Sequence, residues 1–371
     1  MPDIVEVRTE EMVLNMGPHH PSTHGVLRLL LKLDGEVITE CTPVVGYLHR
    51  GMEKLAENRT FLQYPAIIDR YEYLTSMFTG ILYAMAAEEI AGIEVPVRAS
   101  WMRMIVMELN RIASHLFWLG TYLLDLGANG LVFYALRDRE IILNLFEELC
   151  GARLLYSYAC VGGVRFETPA SFREHVQDFL RVFPPRIAEY EAIVTDNPIF
   201  LERVENIGLL DREVALQWAI SGPPLRSTGL KKDLRKDAPY LFYDQVEFDV
   251  PIGTKGDTLD RYLLRVDELR QSIKIVKQCL EHLPDDGPYR AKMPAVIKIP
   301  VGETYARLES PRGEIGNYMV GNNTDKCYRL KLRAPSFNHV QALPAMLKGQ
   351  KVSDVMAIFG SLDVILPEVD R

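Results

Sequence analysis

Three of the chain's eight histidines, His19, His20 and His24, stand together in Gly17-Pro18-His19-His20-Pro21-Ser22-Thr23-His24-Gly25. Pro18 and Pro21 exclude a regular helix, so the step from His20 to His24 does not set two imidazoles on one helical face as a zinc protease motif would. Three chemistries stay open on these residues alone. They are metal ligation, a rigid loop whose imidazoles satisfy backbone carbonyls, and proton transfer by the one side chain that titrates near neutral pH.

Three further segments carry candidate groups. In Val45-Gly46-Tyr47-Leu48-His49-Arg50-Gly51, a turn runs into a helix, and Arg50 is either surface charge or a cation set against something electron-rich. In Asp69-Arg70-Tyr71-Glu72-Tyr73, aromatics lead into an apolar helix. They are either core packing or hydroxyls able to hydrogen-bond a carbonyl and release a proton. Asp125 sits among apolar residues in Leu123-Leu124-Asp125-Leu126-Gly127-Ala128. It is either a helix-end carboxylate turned to water or a buried one that needs a cationic or hydrogen-bonding partner.

Such groups must be held by rigid elements. From Glu11 to Pro43 the pattern alternates, with Asp34-Gly35 between Val26–Leu33 and Glu36–Glu40, which predicts a small antiparallel sheet with a hairpin. Helical periodicity follows over Gly51–Asn58, Tyr73–Ile90, Val97–Leu124, Leu136–Tyr158, Ser171–Val194 and Leu259–His282. Tyr73–Ile90 is apolar nearly all round, as a helix inside a bundle must be. Alternation returns over Val296–Ala334, with breakers at Pro311-Arg312-Gly313 and Gly321-Asn322-Asn323. The expected fold class is α+β, a central bundle of long helices with small antiparallel sheets at both ends. The N-terminal sheet should occupy 1–50, the bundle 51–295 and the C-terminal sheet and tail 296–371. An irregular stretch near 221–258 is expected to wrap the surface or contact a partner.

Composition sets the outer limits. A chain of 371 residues, 48% apolar and 25% charged, can bury a substantial core. With 50 acidic against 42 basic residues the net charge is -8, which gives no general attraction to nucleic acid. Cys41, Cys150, Cys160, Cys279 and Cys327 contain no C-x-x-C unit, which disfavours a disulfide framework and a cluster held by the chain's own thiols. The acidic N-terminus lacks the order of a signal peptide. The apolar run Leu74–Ala87 falls short of the roughly 20 residues that span a bilayer, so any service to a membrane is expected from outside the lipid.

Taken in order, His20-Pro21-Ser22-Thr23-His24-Gly25, Gly46-Tyr47-Leu48-His49-Arg50-Gly51, Gly151-Ala152-Arg153, Tyr243–Pro251 and the terminal Glu368-Val369-Asp370-Arg371 resemble the quinone-site subunit family of respiratory complex I, the D subunits of bacterial NADH-quinone oxidoreductases. The match runs almost end to end. It implies a fold like the large subunit of nickel-iron hydrogenases. Arg70–Thr75 and Asp363–Glu368 would stand at the places of that enzyme's two C-x-x-C pairs, and neither contains cysteine, so no metal is implied. The resemblance further implies that His24 and Tyr73 bind a quinone headgroup, that Asp125 pairs with His24, and that His20 and Thr121 stand behind them. Arg50 would lie beside a 4Fe-4S cluster in the neighbouring B subunit. This chain alone would bind no cofactor; menaquinone or ubiquinone would be the substrate, and NADH would react elsewhere in the complex. Implied partners are the B, C, H and I subunits, with the membrane arm reached through H. The implied location is the cytoplasmic face of the cell membrane, with quinone reduction coupled to proton translocation. Leu155 departs from the family pattern, in which many relatives carry histidine, and fits a lower-potential acceptor. Two other readings of the same motifs are a ferredoxin-linked or hydrogenase-related complex, and a scaffold subunit that leaves the chemistry to its partners.

Overall fold

The computed structural model describes residues 11–18 and 25–371; His19, His20 and His24 lie outside the described residues. Strands β1 (Met12–Met16), β2 (Arg28–Asp34) and β3 (Val37–Val44) form an antiparallel sheet in that order. Asp34 pairs with Val37 across Gly35-Glu36, so the hairpin falls where the Asp-Gly pair predicted, with Gly35 at the first turn position and the positive φ (61) that a glycine there takes without strain. Leu29, Leu31 and Leu33 point to one buried face, as the alternation of β2 demands.

After α1 (Met52–Asn58) and the short α2 (Pro65–Ile68), a tight turn at Tyr73–Thr75 leads into α3 (Ser76–Ala91). Two long helices follow, α4 (Val97–Asp125) and α5 (Leu131–Cys150). Helix α4 is buried over most of its length, and α3, α5 and a later helix, α11 (Thr258–His282), pack along it. It is the axis of the molecule. Helix α5 ends earlier than its apolar period suggests, because Gly151 caps it at φ 72. Beyond it Leu155 and Ser157 also take positive φ, which no helix permits. A minimal hairpin, β4 (Ala159–Cys160) with β5 (Gly163–Val164), precedes α6 (Phe172–Val194). Short helices α7 (Pro198–Val204), α8 (Arg212–Gln217), α9 (Gly222–Ser227) and α10 (Leu234–Asp237) then lead to α11.

The last third holds the antiparallel sheet of β6 (Gly302–Ser310), β7 (Gly313–Gly321) and β8 (Arg329–Arg333), then α12 (Pro335–Leu347), α13 (Val355–Ser361) and α14 (Leu366–Asp370). One apolar core surrounds α3, α4, α5, α6 and α11; a second lies where the first sheet meets α12 and α13. The α+β class is as expected. The irregular stretch differs from its expected surface role: all of α9 is buried, as are Asp233, Arg235 and Tyr243. Two of its arginines, Arg226 and Arg235, are drawn inward by partners on other elements, Glu108, Glu268 and Glu309, while Lys231, Lys232, Lys236, Glu247 and Asp249 stay exposed as expected.

The β6–β7 turn also runs inward. Arg312 at its tip is 0% exposed, and a Cβ at Gly222 (φ 70) would come within 2.5 Å of the Arg312 carbonyl oxygen and of Gly313 Cα. Gly222→Ala therefore combines a left-handed backbone penalty with a clash against main chain, and should cost about 3 kcal/mol. A lowered unfolding temperature of the subunit is the readout; an unchanged one would mean that the hairpin tip can retreat freely.

Candidate functional site

The C-terminal end of α4 presents Trp118, Thr121 and Asp125 along one face, since residues three and seven positions apart align on a helix. Opposite them lies the turn at Tyr73. Glu72 caps that turn by accepting the Leu74 N–H at 3.2 Å, and Asn110 on α4 donates Nδ2–H to the Leu74 carbonyl at 2.9 Å. The third wall is α13 and the segment after it, held by the Trp118 indole N–H donating to the Gly360 carbonyl at 2.8 Å.

These walls enclose a cavity of about 140 Å³ lined by Tyr73, Leu74, Phe117, Trp118, Thr121, Leu124, Asp125 and, from the C-terminal part, Phe359, Gly360, Asp363, Val364 and Ile365. A cavity of about 150 Å³ accepts one benzene ring in another protein, so the space suits a single six-membered ring. Three of the expected site residues, Tyr73, Thr121 and Asp125, thus meet in one place. Tyr73 is half-buried, and burial pushes its phenol above the usual range, with Glu72 and Asp363 adding to the effect and Arg312 opposing it. The Thr121 hydroxyl donates back into its own helix, to the carbonyls of Phe117 (3.0 Å) and Trp118 (3.2 Å), and offers the cavity an acceptor.

His20 and His24 lie outside the described residues. Their neighbour Gly25 is described. A Cβ there would stand 2.9 Å from Leu366 Cδ1, so Gly25 abuts the residue that follows the lining residue Ile365. Arg50 does not line the cavity. It is exposed, and its Nη2 donates to the carbonyls of Arg70 (2.9 Å) and Pro367 (3.3 Å), beside a turn whose Gly46 and Leu48 N–H groups donate to Asp370 at 2.7 Å each. Burial lowers the pKa of Arg50, and Asp370 works in the opposite direction. Leu155 lies on the left-handed stretch after α5 and also stands outside the lining.

Sequence reasoning singled out no role for the group behind Tyr73. Arg312 reaches Glu72 Oε1 at 3.3 Å and Asp363 Oδ1 at 3.1 Å, all buried, and its Nε–H donates to the Asp363 carbonyl at 2.8 Å. Glu368 joins them electrostatically while accepting the Ser336 N–H at 2.9 Å. Burial lifts the Glu72 carboxyl to about 8, against the pull of Arg312 and with Glu368 and Asp363 pushing the same way as burial. Burial opposes the charge of Arg312, but Asp363, Glu72 and Glu368 outweigh it and hold the guanidinium protonated. The only local sign was the Pro311-Arg312-Gly313 turn, and a turn motif does not reveal that its tip is inside.

Deeper in the bundle a second network is built on α4 and α11. Glu108 accepts from Arg111 (3.1 Å), Arg235 (3.3 Å), Tyr243 (2.7 Å) and Ser272 (2.6 Å). Burial alone would raise its carboxyl; these partners outweigh it and bring it down to about 2. His115 meets Glu268 at 2.7 Å, and Arg226 bridges Glu268 and Glu309.

Fold and site together define a class: an α+β helical protein with a ring-sized slot edged by phenol, hydroxyl and carboxylate. Among the described residues no group of three His, Cys, Asp or Glu side chains is set to hold a metal ion, and no helix is long and apolar enough to cross a membrane. The model of the respiratory-chain NADH dehydrogenase 49 kDa subunit family matches residues 125–371. The chain is 51% identical to the D subunit of NADH-quinone oxidoreductase from Geobacillus thermodenitrificans over 98% of its own length and 100% of the relative's. It is 49% identical to the D subunit of the same enzyme from Bacillus cereus strain ATCC 14579, again over 98% of this chain and all of that one. The chain belongs to the family of the 49 kDa, or D, subunit of NADH-quinone oxidoreductase.

Proposed function

We propose that this chain is the quinone-site subunit of the peripheral arm of an NADH:quinone oxidoreductase, and that the cavity between Tyr73, Thr121 and Asp125 receives the quinone headgroup. The observation that carries the reading is the meeting of these three side chains around a slot sized for one ring. Apolar contacts from Leu74, Val364 and Ile365 suit the ring faces, and polar groups at the edge suit its two carbonyls.

Reduction of a quinone to a quinol takes two electrons and two protons. An iron-sulfur cluster held by an adjacent subunit, taken to be the B subunit, would supply the electrons, and Arg50 is the residue of this chain proposed to face it. Tyr73 donates its phenolic proton to one quinone oxygen as negative charge develops there. His24, whose described neighbour Gly25 abuts Leu366, is the proposed donor to the other, and His20 is its proposed support. Asp125, half-buried at the edge of the slot, is the proposed partner of the His24 cation. Loss of that proton changes the charge beside Asp125, and this change is the proposed signal that the membrane partners would turn into proton translocation. The B, C, H and I subunits are the proposed neighbours, with H linking to the membrane arm at the cytoplasmic face of the cell membrane. The fold is proposed to be that of the hydrogenase large subunit. In support, Glu72 and Asp363, from the two segments at the places of the hydrogenase cysteine pairs, meet across Arg312.

A photoreactive quinone analogue applied to the intact complex should label peptides carrying Tyr73 or Phe117–Asp125, and excess quinone should suppress that labelling. Label confined to other subunits, or to surfaces of this chain remote from α4, would leave this chain a scaffold.

A further inference from the structure

We propose that Glu72, Asp363 and Glu368, gathered around the single guanidinium of Arg312, hold one exchangeable proton among them and return it to Tyr73 after that phenol has protonated the substrate. The inference rests on the reading of Tyr73 given above and adds the group that recharges it.

The geometry sets three carboxylates against one cation. Glu72 is 1% exposed, Asp363 7% and Glu368 0%. Each uses one oxygen. Glu72 Oε1 accepts the Leu74 N–H and faces Arg312, Asp363 Oδ1 takes Arg312 Nη2–H, and Glu368 Oε1 takes the Ser336 N–H. The second oxygens, Glu72 Oε2, Asp363 Oδ2 and Glu368 Oε2, are buried and have no hydrogen-bond partner among the described residues. A purely structural ion pair would saturate its carboxylates; here one oxygen of each acid is left where a proton can reside.

Charge balance leads to the same place. Fully ionised, the four groups carry two net negative charges in a largely buried setting that meets the slot only through Asp363, and protonating one acid relieves like-charge repulsion. The surrounding elements compensate in part. From α11, Arg265 brings a second buried guanidinium that faces Asp363 and is shared with Glu268, while its Nη1 donates to the carbonyls of Arg261 and Ser361. Counting it, the three acids still exceed the cations by one charge, which one proton neutralises. From the C-terminus, Arg371 acts on Tyr71, which also feels Glu368 and Glu72. From α12, His339 is held neutral by burial, with Arg265, Arg333 and Arg312 pushing the same way. Burial also raises Glu368, in the same sense as Glu72.

The cluster is placed to serve the cavity. Glu72 is the residue before Tyr73 and caps its turn, and Asp363 lines the slot that Tyr73 lines. The transfer balances without any electron. The Tyr73 O–H bond breaks as its proton goes to the quinone oxygen, leaving a phenolate. A carboxyl O–H bond in the cluster then breaks and its proton restores the phenol. The cluster, now carrying three carboxylates, takes up one proton from solvent.

The test uses the intact complex. In the resting enzyme, infrared difference spectra should show the C=O stretch of a protonated carboxyl group that persists at neutral pH, above the ordinary carboxyl range, is shifted by deuterium and is lost in alkali. Glu72→Gln and Asp363→Asn should each remove or displace it. In turnover, Glu72→Gln should lower the quinone reduction rate about tenfold, with an altered alkaline limb and little change in KM, whereas Glu72→Asp should restore the limb. A resting spectrum with no carboxyl band sensitive to these substitutions overturns the proton store and leaves Tyr73 its role. A Glu72→Gln pH profile that superimposes on the wild type overturns the transfer. Full turnover in Tyr73→Phe with the band intact sinks the reading of Tyr73 instead, so the two failures are distinguishable.

Discussion

Replacing Tyr73 with phenylalanine is expected to lower quinone turnover of the assembled complex by about 100-fold while the iron-sulfur chain remains reducible from its upstream donor. The substitution removes one O–H and keeps the ring, so the turn capped by Glu72 and tied to α4 by Asn110 should stay as it is. A positioned general acid contributes at least about 100-fold, equivalent to about 2.7 kcal/mol of barrier. If the hydroxyl acts mainly where charge develops on the quinone oxygen, kcat falls and KM moves little; a rise in KM alone would mean that Tyr73 only binds. The sign of the pH effect follows from burial. Because the phenol is pushed above its ordinary range, the donor form persists through neutral and moderately alkaline pH. Any alkaline loss of activity in the wild type must come from another group. Steady-state rates with a short-chain quinone, alongside cluster reduction followed by paramagnetic resonance, separate these outcomes. Wild-type turnover in the variant would remove Tyr73 from the chemistry.

The parts of this molecule that the sequence made legible are those with local signatures. Asp34-Gly35 marked the first hairpin, and the all-round apolar run after Tyr73 marked a helix that is indeed interior. Thr121 and Asp125 share a helix face by spacing alone, but only the family resemblance tied that face to Tyr73, nearly fifty residues earlier. What stayed hidden has no local signature. Arg226, Asp233 and Arg235 stand among prolines and lysines that read as solvent-facing, yet their partners sit on α4, α11 and β6 and draw them inside. Arg312 was hidden in the same way, at the tip of a turn that a motif marks as a loop. The early end of α5 is a matter of a single glycine, because the apolar period continues past Gly151 while the backbone does not.

The hidden network also sets the largest stability effect expected here, that of Arg226→Met. Arg226 is fully buried; its Nη1 reaches Glu309 at 2.8 Å and the Lys232 carbonyl at 3.1 Å, its Nη2 donates to Glu268, and Asp233 lies 3.6 Å away. Methionine fills much of the volume and supplies none of the charge. Glu268 keeps His115, and Asp233 keeps Arg235, but Glu309 loses its ion-pair partner in a dry interior. Removing one member of a buried ion network costs about 3 to 5 kcal/mol, because the penalty is that of the charges left behind. For Glu268, burial opposes ionisation, yet Arg226 and His115 outweigh it and hold the carboxyl well below its ordinary range. Its stabilising contribution is therefore present above the unfolded pKa of about 4.3 and fades as the pH falls through the lower folded value. The deficit of Arg226→Met should be full at neutral pH and shrink in acid, where protonation of the orphaned carboxylates removes the repulsion. Arg226→Lys should fall between the two, keeping the charge but not the fork that engages two acids at once. Recovery of assembled complex and the unfolding temperature of the subunit within it measure both variants. A deficit that does not change with pH would assign the loss to packing rather than to charge.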